Sequence, residues 1–483
     1  MFGVTVVEAD ARFDNYRLAH PINLRVGFGR NMAIIGANGS GKSLLADMLT
    51  GNIALRQGEV RCEENGAKAS SSAIKLMSFR DIYSMIDGRT TYYQQRWNAT
   101  EVDESPLVRD ILKGRSAAEL IRCVPMFNIE ELLDKRLISL SSGELRKFLI
   151  ARSLSQNPKM LILDNVFIGL DAASREMLSD TLGSLSKSNG LNIVLLLSNP
   201  RDIPNWVDEV LPVANRTCGD VMPASDFMAA EDLHKKLFCV PDGVELPNFQ
   251  DEGQDSFVSD SDVVVEMNHV NVRYPTRHIL KDVDWTVRRG EHWALLGENG
   301  CGKSTLLSLI CGDNPQSYAN DITLFGRKRG TGESIWEIKK HIGYLSPDIH
   351  TYYCQDIPCL NVVASGYFDT IGLYRQPNEN QRKDALVWMR LFGAENLSSR
   401  SFLKISYGEQ RLILLIRVFV KNPDLLILDE PLHGLDVGKK RLAKQIIEKY
   451  CSRNGRTLIY VTHYKNEIPS CVTLEKVLIK NNN

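Results

Sequence analysis

The chain has 483 residues, 43% of them apolar and 24% charged, the balance of a soluble globular protein with room for at least two cores. Its 58 Lys and Arg against 59 Asp and Glu leave a net charge of -1, which excludes a global basic field for nucleic acid or anionic membrane. The longest apolar runs, such as 193–197 and 425–428, fall far short of the roughly 20 residues that cross a bilayer, so no integral membrane span is expected. Ten Cys with no Cys-x-x-Cys pair fit a reduced intracellular compartment, and residues 1–10, carrying Glu8 and Asp10, lack a basic, apolar signal pattern.

Taken in chain order, a strand at 31–35 runs into Gly36-Ala-Asn38-Gly39-Ser40-Gly41-Lys42-Ser43, and a helix follows from Lys42. A largely helical sub-domain is expected over about 80–137. Leu140-Ser141-Ser142-Gly143-Glu144 then opens a helix over 142–156, which feeds the apolar strand 160–164 ending in Asp164. Residues 224–262 are rich in Asp, Glu, Gly, Pro and Ser and read as an acidic connector with one short helix near 226–238.

The same series then recurs. A strand at 292–296 leads into Gly297-Glu-Asn299-Gly300-Cys301-Gly302-Lys303-Ser304-Thr305, 261 residues beyond the first loop by its Lys. A helical region at 352–403 precedes Ile405-Ser406-Tyr-Gly408-Glu409 and a helix over 407–421; the strand 425–429 ends in Asp429. The Gly of Ser-x-Gly-Glu, the strand-end Asp and the Leu-Asp pairs 170–171 and 435–436 each repeat at 265 residues. One domain is used twice: 1–223 and 263–483, joined by 224–262. Strands alternating with helices predict an α/β fold with a mainly parallel sheet in each half.

The glycine-rich loops carry the chemistry. Glycines let successive N–H groups turn inward around an anion, while the following helix presents its positive end. Lys42 and Lys303 are expected to reach the β/γ-phosphates of ATP, with Ser43 and Ser304 on Mg²⁺. Asp164 and Asp429 are placed to bind the same Mg²⁺, since a carboxylate at a buried strand end needs a partner. Ser141-to-Glu144 and Ser406-to-Glu409 both fit a capping box. Each lies at a fixed spacing before its Mg²⁺ Asp, and a helix N-terminus with an adjacent Gly is also an anion site.

These motifs in this order resemble the ATP-binding-cassette (ABC) ATPases over nearly the whole chain. The resemblance implies two cassettes packed head to tail, each ATP lying between one P-loop and the partner's signature segment. One pocket then uses Lys303, Ser304, Asp429 and Ser141–Glu144; the other uses Lys42, Ser43, Asp164 and Ser406–Glu409. It also implies that the residue after the strand-end Asp is the catalytic carboxylate. That is Glu430 in the second half and Asn165 in the first. The family's switch histidine matches His463 in Val461-Thr462-His463, against Asn199 in Leu197-Ser198-Asn199. Two losses in one pocket predict that the second-half P-loop site hydrolyses and the other, degenerate at Asn165 and Asn199, binds. The adenine-stacking aromatic matches Tyr274; Phe13, at the same spacing before Lys42, is either its counterpart or a core aromatic. Arg80 and Pro347 stand where the family has its Q-loop glutamine. Cys301 reads as an inert small residue within its loop.

The stretches 312–336, 339–344 and 365–374 resemble the ModF/PhrA-like branch of soluble tandem cassettes. The branch name implies molybdate transport, for which the residues offer no site, and fungal relatives imply a mitochondrial location beside a cytoplasmic one. Three classes of function follow: an ATP-driven enzyme working on an unknown protein or complex, a detachable ATP-binding subunit of a transporter, or a nucleotide-dependent scaffold. The missing Q-loop glutamines weigh against the second, and Glu430 with His463 weighs against the third. The acidic connector argues against the charged helical linker of ribosome-directed ABC proteins.

Overall fold

The structure, a computed structural model, describes residues 1–77, 107–111, 129–136, 140, 142–168, 170, 172–239, 243, 245–247, 261–274, 277–298 and 300–480. In the first half the strands are β1 (Phe2–Ala11), β2 (Ile22–Gly27), β3 (Met32–Ile35), β4 (Leu55–Glu64), β5 (Ala67–Lys68), β6 (Ile74–Met77), β7 (Met160–Asp164), β8 (Asn192–Leu197), β9 (Glu209–Ala214), β10 (Thr217–Cys218) and β11 (Met222–Pro223). An antiparallel sheet of order β2-β1-β4-β5 packs beside a mixed sheet of order β10-β9-β3-β8-β7-β6, with β11 also on β9. From β9 through β3, β8 and β7 to β6 every pairing is parallel.

The second half repeats the plan with β12 (Val263–Tyr274), β13 (Arg277–Arg288), β14 (His292–Leu296), β15 (Asp321–Leu324), β16 (Arg327–Lys328), β17 (Ile342–Leu345), β18 (Leu425–Asp429), β19 (Thr457–Val461) and β20 (Leu474–Val477). Here the antiparallel sheet is β13-β12-β15-β16 and the parallel one β17-β18-β19-β14-β20. The short runs Met160–Asp164 and Leu425–Asp429 become interior strands because one face is covered by helices and the other by the antiparallel sheet with the helix after the P-loop, which suits continuous apolar sequence. Leu161, Ile162, Leu426 and Ile427 have no exposure at all; each such side chain contributes roughly 1.5–3 kcal/mol.

The helices that place the sites are α1 (Lys42–Leu49), α2 (Ser142–Leu154), α3 (Ala172–Asn189), α4 (Ala224–Ala229), α5 (Glu231–Leu237), α6 (Lys303–Ile310), α7 (Pro347–Tyr352), α8 (Cys359–Ala364), α9 (Glu379–Leu391), α10 (Tyr407–Phe419) and α11 (Val437–Cys451). The expected helical sub-domain of the second half is built from α8 and α9 against α10, around Trp388, Phe392 and Phe419. Its counterpart over 80–137 falls largely outside the described residues. Among those residues no helix is long and apolar enough to cross a membrane.

The connector differs from expectation at its start. Residues 224–238 hold two helices, α4 and α5, and Phe227, Leu237 and Phe238 are buried in the first half's core. The acidic residues there occupy the outer face. Three buried apolar anchors outweigh the charge density that suggested a solvated tether.

Candidate active site

Both P-loops leave a central strand at its C-terminal end, where a parallel sheet splays open. Gly41 and Gly302 sit at φ +112° and +102° as the residues before α1 and α6, a backbone that only glycine adopts freely. The loops close on their own lysines. Lys42 Nζ donates to Gly36 O at 2.7 Å and Ala37 O at 2.8 Å; Lys303 Nζ donates to Gly297 O at 2.7 Å and Glu298 O at 3.0 Å. Burial lowers the Lys42 pKa to about 8, opposed by the charges of Asp164, Asp436 and Glu409. The last two belong to the other half, so the first pocket is composite.

Its closure is tight. Asn38 N donates to Asp436 Oδ2 at 2.8 Å and Asn38 Nδ2 to Gly434 O at 2.9 Å. A Cβ on Gly39 would lie 2.3 Å from Glu409 Oε1, and one on Gly408 only 1.9 Å from Asn38 Nδ2. The N-terminus of α10 is therefore pressed onto the first P-loop. Ser406 and Glu409 also form the capping box: Ser406 N donates to Glu409 Oε2 at 2.7 Å and Glu409 N to Ser406 Oγ at 3.4 Å. The helix start that carries this cap thus also faces the first P-loop. Ser43 Oγ donates to Asp164 Oδ2 at 2.9 Å, bringing together two hard oxygen ligands that suit Mg²⁺.

In the second pocket Lys303 and Thr305 are buried beside Asp429. The Asp429 pKa rises to about 7, first through burial and then through the charges of Glu430 and Asp348, against Lys303 and Arg411. A buried carboxylate under that strain is a fit for a cation held with Ser304. Gly300 and Gly302 take positive φ, and Cys301 is buried, its Sγ near Gly297. Ser141, Asn299 and Arg80 lie outside the described residues. Ser142 and Gly143 open α2, and Glu144 pairs with Lys135 at 2.7 Å.

The two residues after the strand-end Asp are geometrically equivalent. Asn165 N donates to Leu196 O and Glu430 N to Val461 O, both at 2.9 Å, with φ +51° and +49°. Asn enters this left-handed backbone more readily than Glu, so Glu430 holds it at some cost. His463 Nε2 lies 3.2 Å from Glu430 Oε1. In the first half Ser198 Oγ donates to Asn165 Oδ1 at 3.1 Å, while Asn165 Nδ2 donates to Asp164 Oδ1 at 2.8 Å.

Strand register corrects one expected match. Asp164 faces Leu196 and Asp429 faces Val461, so two residues further on the counterpart of His463 is Ser198, not Asn199. Asn199 instead matches Tyr464; each precedes a short 3-10 turn, Pro200–Asp202 and Lys465–Glu467. The similarity of Leu-Ser-Asn to Val-Thr-His hides a one-residue slip that only pairing reveals. The aromatics also part company. Phe13 is 56% exposed, which removes the core reading. Tyr274 packs against the second half's core, and its hydroxyl accepts from Asn314 Nδ2 at 3.3 Å.

Two residues escaped the sequence reading. Buried Arg411, two past Glu409, donates to Glu430 O at 2.8 Å and Ser346 O at 3.4 Å, tying α10 to the turn after Asp429. Asp436 was noticed only as a repeat marker. Arg146, 265 residues before Arg411, repeats its place in Ser-x-Gly-Glu-x-Arg, a signal the sequence did contain. At Pro347 the strand β17 passes directly into α7, with Ser346 capping Ile349 N. The His350 ring on that helix lies tilted against Tyr407 with centroids 4.6 Å apart, and its Nε2 meets Gln410 Oε1 at 3.0 Å.

A family profile described as "ABC transporter" matches residues 19–167 and 280–433. The chain is 36% identical to the "ABC transporter ATP-binding protein ModF" of Escherichia coli (strain K12), an alignment covering 98% of this chain and 96% of that one. The chain belongs to the ABC transporter family. It is an ABC-type ATPase with two cassettes, of the ModF-like branch, and the halves described above are its cassettes. It is also 28% identical to an uncharacterized ABC transporter ATP-binding protein of Schizosaccharomyces pombe, over 96% of this chain and 94% of that one. Among solved structures, "RNase-L Inhibitor" shares the fold at TM-score 0.52 and 17% identity, covering 97% of this chain and 87% of that one.

Proposed function

We propose that this ATPase hydrolyses ATP mainly in the pocket of Lys303, Ser304, Asp429, Glu430 and His463, and that the Lys42 pocket holds nucleotide to clamp the cassettes together. The observation that carries the reading is the pair Glu430–His463 at 3.2 Å set against Asn165–Ser198 at 3.1 Å. Glu430 accepts the proton of the water that attacks the γ-phosphorus; the products are ADP and phosphate. His463 orients that carboxylate and donates to the γ-phosphoryl oxygens. An amide in place of the carboxylate accepts no proton, and general-base catalysis is worth about 10²–10⁴-fold. Mg²⁺ on Ser304 and Asp429, or on Ser43 and Asp164, neutralises phosphate charge when bound. Lys303 and Lys42 exchange their loop carbonyls for phosphate oxygens. Phe13, which is exposed, and Tyr274 are assigned as the adenine platforms from their matched spacing before Lys42 and Lys303.

Ser141–Glu144 is assigned to the hydrolytic pocket and Ser406–Glu409 to the clamping one. The work released acts on a protein or complex of unknown identity. A transporter-subunit role, suggested by the names of the relatives, is the weaker reading because a helix start at Pro347 replaces the glutamine of the coupling loop. Steady-state ATPase assays test the assignment: Glu430→Gln should abolish nearly all turnover, whereas Asn165→Ala should leave it within a few-fold. Retention of most turnover in Glu430→Gln overturns it.

A further inference from the structure

A cavity of about 50 Å³ lies between the cassettes and touches both catalytic turns, with Asn165 and Ser198 on one side and Glu430 and Tyr464 on the other. Charged pairs flank it in matched positions. Arg175 pairs with Asp202 in the first cassette and Lys440 with Glu467 in the second, each residue 265 from its counterpart. The near-symmetry ends at Tyr464. Its hydroxyl donates to Leu170 O of the first cassette, Arg175 Nη2 donates to the same hydroxyl at 3.1 Å, and the Arg175 guanidinium lies 5.7 Å from the ring centroid. Asn199, its counterpart, keeps its side chain within its own turn, accepting from Arg201 N at 3.1 Å.

The crossing is thus one-directional. Tyr464 adjoins His463 and, through Glu467, the turn that carries the switch. On the other side Leu170 ends the segment that starts at Asn165, while Arg175 holds Asp202 at the end of the turn that begins after Asn199. A tyrosine ring is stiff, with few rotamers, so movement of the His463 turn is transmitted to its hydroxyl. A hydrogen bond to the arginine cation is among the stronger kinds, and this one is partly buried at the interface.

We infer that Tyr464 is a positioning residue that reports hydrolysis at the Glu430–His463 pocket to the clamping pocket, loosening nucleotide there through Leu170 and the Arg175–Asp202 pair. The inference rests on the proposed division of labour between the pockets. It assigns the asymmetry a purpose: one pocket turns over, and a one-way contact sets how long the other stays loaded. The element biased is the pair of turns at 198–202 and 462–467, whose coupling free energy both pockets share.

The test uses the full-length chain preloaded with a fluorescent ATP analogue. Release of the slow-leaving fraction is measured during a chase with Mg²⁺-ATP and with a non-hydrolysable analogue, and the two rates are expressed as a ratio. In the wild type the ratio should exceed about tenfold, and in Glu430→Gln it should fall to about one. Tyr464→Phe, which removes only the hydroxyl, and Arg175→Met, on the opposite cassette, should each bring the ratio to about one while steady-state ATP turnover stays within about threefold of wild type. The double variant should add nothing further. A purely structural role shifts both rates together and leaves the ratio intact. Wild-type ratios in Tyr464→Phe or in Arg175→Met overturn the relay. Turnover surviving in Glu430→Gln instead overturns the division of labour beneath it, so the two failures are distinguishable.

Discussion

Asp436 divides its carboxylate between the two cassettes: Oδ1 accepts from Lys439 N at 2.8 Å to cap its own helix, and Oδ2 accepts from Asn38 N, also at 2.8 Å, in the opposite P-loop. One residue thus sets the start of α11 and the position of the first phosphate loop. Helix capping and closure of the Lys42 pocket are therefore a single structural unit.

Gly408→Ala tests how far that closure depends on a missing side chain. The added Cβ would meet Asn38 Nδ2 at 1.9 Å and Gly434 O at 2.5 Å. Gly434 belongs to the same cassette as Gly408, and its carbonyl is backbone that gives little, so the clash outweighs alanine's helix preference of roughly 0.5–1 kcal/mol. Denaturant melts of the nucleotide-free protein should show lower stability, and ATP affinity of the Lys42 pocket, read by fluorescent-nucleotide titration, should drop at least tenfold.

Installing the missing pair should restore chemistry. Asn165 and Glu430 share backbone geometry, and Ser198 and His463 share strand register. In a Glu430→Gln background, Asn165→Glu with Ser198→His should raise turnover at least tenfold over Glu430→Gln alone. Asn165→Glu with Asn199→His, which puts the imidazole one residue too far, should not.

His433 provides a pH signature. Burial, with the Arg411, Arg146 and Lys440 charges, holds its pKa well below the usual 6.5. The unfolded chain takes up this proton below about pH 6.5 and the folded one does not, so stability is full above that pH and falls beneath it. The slope is about 1.4 kcal/mol per pH unit for one proton. Melts between pH 7 and pH 5 should show this loss, and His433→Asn should flatten it.

Trp388 anchors the second helical sub-domain. It has no exposure, stacks on Phe419 at 5.1 Å and neighbours Phe392 and Tyr450. Trp388→Ala should cost about 3–5 kcal/mol, seen as a lower urea midpoint for the second cassette.

Much of this was legible beforehand. Repeated motifs at fixed spacing mark the two cassettes because phosphate binding restricts which residues fit around an anion. The equivalence of Glu430 and Asn165 was legible too, because each follows the repeated strand-end Asp. The His463 counterpart was not, since Ser198 and Asn199 are both small polar residues and register is set by pairing with Leu196 and its neighbours. Arg411 and Tyr464 act across the fold, and no local pattern says which carbonyl a distant side chain will find. The burial of Phe227 and Phe238 was masked by the charge on the helices' other face.

Those two helices also fix how the chain can be divided. A fragment ending at Pro223 would leave the sockets of Phe227, Leu237 and Phe238 open to water, an apolar wound on an otherwise finished cassette. An isolated N-terminal piece intended for crystallisation or labelling should therefore extend past Phe238, and a protease that trims this sequence should spare the segment 224–238.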